Sequence, residues 1–120
     1  MGKNPETTAK PAETEIIETK EEEPPKPITK KITITEFKGE PEDIDIARGE
    51  RIEWENNQSS FVHVIMIRKD LGEGYYGEHY GEPLRLVPGD TVEYEFTKKG
   101  KYQWYSKTRY PKTSGEIIVE

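Results

Sequence analysis

The chain has 120 residues, a formal net charge of −6 and no cysteine. That length suits one ordinary domain, and the missing thiol excludes disulfides, thiolate zinc sites, iron–sulfur clusters, cysteine nucleophiles and any copper site built on a cysteine sulfur. The excess of acidic over basic residues, 24 against 18, argues against a nucleic-acid binder, which needs Lys and Arg to displace phosphate counterions.

From the N-terminus, residues 1–30 hold five of the nine prolines, seven Glu, five Lys and no aromatic residue. Such a segment cannot bury enough apolar surface to offset the entropy of ordering it, and is expected to be a disordered, extended tail or stalk. All 12 aromatic residues fall between Phe37 and Tyr110, so residues 31–120 are expected to be the folded domain. No apolar leader follows Met1, which leaves either a cytoplasmic chain or one whose leader or anchor has been removed. The longest apolar run, Val64–Ile67, is far too short to span a membrane.

Along the domain the apolar residues recur with period two. Ile32 and Ile34, then Ile44 and Ile46, then Ile52 and Trp54 alternate with polar residues. Phe61–Ile67 is apolar on both faces apart from His63 and is expected to be a central strand. Val92, Tyr94 and Phe96 alternate with Glu93 and Glu95, and Tyr102 and Trp104 follow Gly100. Gly or Pro punctuates the runs at Gly39-Glu40-Pro41, Gly49, Pro88-Gly89 and Gly100. No stretch carries a capped 3.6-residue periodicity. The pattern predicts an all-β domain, a sandwich or small barrel of seven or eight short strands.

Three segments narrow this further. The first runs from Ile44 to Asn57, with Gly49, Glu50, Ile52, Trp54 and Asn56 leading to His63; the second is Leu86–Phe96. The third is Gly100-Lys101-Tyr102-Gln103-Trp104-Tyr105-Ser106, with Gly115–Glu120 beyond a short loop. In this combination the chain resembles the cupredoxins, small blue copper proteins such as plastocyanin and amicyanin. The resemblance implies a Greek-key β-sandwich over nearly all of residues 31–120. It also implies where copper would be held, by two histidines, a cysteine and usually a weak axial methionine. His63 stands at the first histidine position, but Ser106 replaces the cysteine, Arg109 replaces the second histidine, and no methionine follows. The resemblance therefore predicts the scaffold without its blue copper centre.

His63 has two readings, a buried structural histidine or one ligand of a different, colourless copper site shared with His79 and Met66. On a strand Met66 should face away from His63, as core filler. The stretch Leu71–Pro83 combines four glycines with three tyrosines, a composition suited either to a binding loop or to a long connection packed on the sandwich edge. Tyr75, Tyr76, His79 and Tyr80 are its candidate contact residues, joined by Arg109 and Tyr110 from the loop after Ser106. No catalytic motif is present, so no enzyme is expected. The expected function is that of a metal-free binding or structural module outside the cytoplasmic membrane, contacting another protein or a cell-envelope component, with no nucleic-acid partner. The alternative is a copper-handling or redox protein using His63. The many Glu and Lys with few Gln fit a thermophilic source.

Overall fold

The computed structural model describes residues 28–120, which form ten strands and no helix. In chain order these are β1 (Thr29–Thr35), β2 (Lys38–Glu40), β3 (Ile44–Ile46), β4 (Arg51–Asn56) and β5 (His63–Gly72). They continue as β6 (Tyr75–His79), β7 (Leu84–Leu86), β8 (Thr91–Glu95), β9 (Gly100–Ser106) and β10 (Ser114–Val119). One sheet has the order β2-β1-β4-β8; the other has β3-β10-β9-β5-β6, with β7 pairing the first half of β5. The expected tail over residues 1–30 lies outside the described residues as far as Pro27. At its C-terminal end it is corrected, because Thr29 and Lys30 already pair with Arg51 and Ile52.

The inward residues of both sheets make one core. Ile32, Ile34, Ile52, Trp54, Ile65, Leu86, Trp104 and Ile117 are wholly buried, as the period-two pattern requires. The outward charges face water, with Lys31–Glu55 at 3.0 Å and Arg51 reaching Glu93 at 3.1 Å. Ten strands form where seven or eight were expected. The additional ones are β2 and β7, three residues each, and β6. Each is short or glycine-bearing and exists by pairing with a longer neighbour, so none has a periodicity of its own. The central strand begins at His63, not Phe61, and runs on to Gly72.

Gly39, expected as a turn marker, and Gly115 both make room for Trp104. A Cβ on Gly39 would lie 2.6 Å from the Trp104 ring, and one on Gly115 would meet the Glu42 backbone and the indole nitrogen. The turn near Gly39 is made earlier, by Glu36 and Phe37. Both have positive φ, 52° and 67°, as the two central residues of a type I′ hairpin must, although Asn-Gly is the sequence that adopts this geometry without strain. The turn is held from outside: Phe37 N–H donates to Gln58 Oε1 (3.2 Å) and its carbonyl accepts the Thr113 hydroxyl (2.6 Å). Glu36→Asn is expected to stabilise the fold by about 0.5–1 kcal/mol in urea unfolding, since Asn tolerates the left-handed region and Glu36 is exposed.

Candidate functional site

The end of the sandwich at Ser106 is closed by a buried polar network. His63 and Ser106 are the inward residues at the start of β5 and the end of β9, and both are wholly buried. Across the gap between them His63 Nδ1 lies 2.7 Å from Ser106 Oγ, while His63 Nε2 lies 2.9 Å from Gln58 Oε1. The same Gln58 oxygen accepts Phe37 N–H, which fixes it as an acceptor and assigns the imidazole proton to Nε2. A neutral His63 then accepts at Nδ1 from the Ser106 hydroxyl. Thr108 Oγ1, 3.0 Å from Ser106 Oγ, ties the loop to the Val62 carbonyl at 3.0 Å. Burial pushes the imidazole below its ordinary pKa, and the nearby Arg109 cation acts in the same direction.

An aromatic lid covers this network. Phe61 and Phe37 pack edge-on at 5.0 Å, and the Phe61 ring lies 4.9 Å from the His63 ring. Arg109 stacks its guanidinium 4.4 Å above Phe37, a cation–π contact that holds the loop after Ser106 against the β1–β2 turn.

These residues do not fit a blue copper ion. Ser106 offers a hydroxyl where a thiolate is needed, and the Arg109 guanidinium has no lone pair to give. Two nitrogen or oxygen ligands on a tetrahedral ion with bonds of about 2.0–2.2 Å stand about 3.3–3.6 Å apart. The His63–Ser106 pair, at 2.7 Å, is a direct hydrogen bond instead. Nor does the structure gather the other candidate ligands. His79 pairs with Arg68, five positions along β5 from His63, or roughly 16 Å at strand rise. His79 also stands on the outer face, whereas His63 faces inward. Met66 lies opposite Tyr105 on that outer face, so its expected place in the core is corrected. Among the described residues no three His, Asp or Glu side chains cluster closely enough to hold a metal ion.

The tyrosine-rich stretch is the second feature, and it is a strand-bearing hairpin where a binding loop or a long connection was expected. Within the β5–β6 pairing, Arg68 opposes His79 and Asp70 opposes Tyr76. Between these pairs β6 has one residue more than β5, a bulge that turns both Tyr76 and His79 to the outer face. There they meet an arginine that sequence reading passed over. The Arg68 guanidinium lies 4.0 Å from the Tyr76 ring centroid, 4.6 Å from Tyr105 and 5.3 Å from Tyr110. Its Nε donates to Gln103 Oε1 at 2.7 Å and its Nη2 to the Tyr110 hydroxyl at 3.2 Å. His79 Nε2 reaches the Tyr105 hydroxyl at 2.7 Å.

The six candidate contact residues therefore divide. Tyr76, His79 and Tyr110 converge around Arg68; Tyr75 stands free at the hairpin tip, 69% exposed. Arg109 turns away to Phe37. Tyr80 packs edge-on against Tyr102 at 5.3 Å and lines a small separate cleft with Tyr94 and Phe96. In the sequence Arg68 is the first of three consecutive charged residues, Arg68-Lys69-Asp70, beyond the apolar run Val64–Ile67, so nothing singles it out, and its partners could not be named without the register.

Fold and ligand-end geometry together define a cupredoxin-type sandwich with an altered metal end. Residues 27–120 match the copper-binding proteins of the plastocyanin/azurin family, and the chain belongs to that family. Among solved structures it is similar to a purple cupredoxin from Nitrosopumilus maritimus, at 24% identity and a TM-score of 0.61, covering 76% of this chain and 99% of that one. It is likewise similar to amicyanin from Paracoccus versutus, at 20% identity and a TM-score of 0.61, covering 83% and 87%. At this identity the likeness establishes the fold alone. No curated protein sequence matches the chain significantly.

Proposed function

We propose that this protein is a copper-free binding module on a cupredoxin scaffold, carrying out no electron transfer and no chemical step. The observation that carries this reading is the direct His63–Ser106 hydrogen bond inside a buried, aromatic-capped network. Where the family's chemistry would place an ion, this chain spends its one inherited imidazole on holding two strands and a loop together. The exposed Tyr75 at the hairpin tip and Tyr110 on the outer face supply large, rigid contact area of the kind that anchors protein interfaces. The acidic segment before Thr29 would act as a spacer outside the cytoplasmic membrane, a placement supported by family membership. No helix among the described residues is long and apolar enough to cross a membrane.

Titration of the full chain with Cu²⁺ and with Cu⁺ tests the copper part directly. The expected result is no intense visible charge-transfer band and no binding tighter than micromolar that depends on His63. Sub-micromolar binding lost in His63→Ala would overturn the proposal in favour of a copper-handling protein.

A further inference from the structure

We propose that the tyrosine-caged Arg68 on the outer face of the larger sheet is a carboxylate-binding anchor that recognises an acidic peptide segment of a partner protein. The proposal rests on the reading of the chain as a binding module and names the chemistry of what it binds.

The geometry is specific. Tyr76, Tyr105 and Tyr110 lie within 4.0–5.3 Å of the guanidinium carbon. Gln103 takes the Nε proton, and Gln103 is itself 9% exposed and so a fixed partner. A guanidinium carries five N–H donors. Two are used here, one by Gln103 and one by the Tyr110 hydroxyl, so the Nη edge keeps three. Ring contacts restrain the group without consuming those donors, which leaves a pre-oriented fork of the kind that pairs bidentately with a carboxylate. An arginine already immobilised loses little further entropy on binding.

The surroundings favour an anion carried by a peptide. Exposed Arg85 and Lys107 flank the same face, Arg85 opposite Val64 and Lys107 bonded through its N–H to the Val64 carbonyl. On β5 itself the nearest acid, Asp70, has one carboxylate oxygen committed to Gly72 N–H at 2.8 Å. Tyr110, 47% exposed, stands beside the fork as an apolar platform for the partner's side chains. On β10 Glu116, opposite Gln103 on the same face, is paired with Lys101 at 3.4 Å. Arg68, Arg85 and Lys107 present positive charge beside that pair, and this aromatic frame favours an acidic partner although the chain as a whole is acidic.

The test is an NMR titration of the isotope-labelled full chain with the doubly capped peptide Ac-Glu-Glu-Leu-Glu-Glu-NH2. Its Gln counterpart and inorganic phosphate form the other arms. Expected are saturable shifts of the Arg68 Nε–H and of the Tyr105 and Tyr110 rings with the Glu peptide and none with the Gln peptide. Arg68→Lys, which keeps the charge and loses the fork, should weaken binding at least tenfold. Tyr110→Ala, at an exposed position that leaves the fold intact, should weaken it at least threefold, whereas Lys99→Gln, which removes a positive charge elsewhere, should change it less than twofold. Four results overturn the proposal: no saturable shifts at Arg68, equal binding of the Gln peptide, equal losses at Arg68 and Lys99, or phosphate saturating the same resonances more tightly than the peptide. Tight copper binding at His63 would remove the copper-free reading and leave this titration standing, whereas failure here removes only the assigned partner.

Discussion

Gly115→Ala is expected to lower the unfolding free energy by about 3–5 kcal/mol, the sum of overpacking and of a buried indole N–H left without its acceptor. Gly115 sits opposite Trp104 in the β9–β10 ladder. Any Cβ there would collide with the Glu42 carbonyl group and come within 2.6 Å of Trp104 Nε1. Those are the two ends of the 2.8 Å hydrogen bond that ties β9 to the β2–β3 connection. The obstacle is backbone on one side and a wholly buried indole on the other, so neither can swing aside as a flexible side chain would. Urea unfolding followed by tryptophan fluorescence should show a lower midpoint with little change in slope. An unchanged midpoint would mean that the β2–β3 connection shifts freely and that the Trp104 bond adds nothing.

The second large effect is at His63, and pH gives it a signature. Because burial depresses the folded-state pKa of His63 below its unfolded value near 6.5, the unfolded chain binds the proton more readily. Stability from this residue is therefore complete above about pH 6.5 and is lost as pH falls from there toward the folded value. The slope is at most about 1.4 kcal/mol per pH unit. His63→Gln should cost about 1–3 kcal/mol at pH 7.5 through the disturbed bonds to Ser106 and Gln58. The difference between wild type and variant should then narrow as the solution is acidified, because only the wild type carries the protonation penalty. A gap that stays constant between pH 7.5 and 5 would show that His63 is not held neutral by its surroundings.

The two interior features differ in how far the sequence foretold them. The altered metal end was legible because ligand chemistry belongs to residue types: Ser106 and Arg109 can be disqualified from their identities, given the strand order that Trp54, His63 and Gly100–Ser106 imply. The buried network at that end was not legible. Gln58 reaches His63 Nε2 from a loop, and Phe37 closes over them from a strained turn. Neither position has a periodicity or motif that marks it.

The outer face shows the same limit more sharply. Composition marks Tyr76, His79 and Tyr110 but neither Arg68 nor Tyr105, and Tyr80, alike in composition, packs on Tyr102 away from them. Tyr76 and His79 are three residues apart, which on a regular strand would send them to opposite faces. A one-residue bulge in β6 brings them together, and bulges are settled by pairing with the neighbouring strand.

By itself the sequence determined an all-β domain and its buried stripe, because alternation is a local property. Through the cupredoxin resemblance it implied the sandwich and the replacement of the blue copper ligands, because side-chain chemistry belongs to residue types. Only the tertiary structure decided that His63 and Ser106 bond directly, that Gly39 and Gly115 make room for Trp104, and that three strands and a loop assemble a cage around Arg68. The physical reason is common to all three. Each depends on which residues stand opposite one another across separate strands, and register is set by the packing of the whole domain.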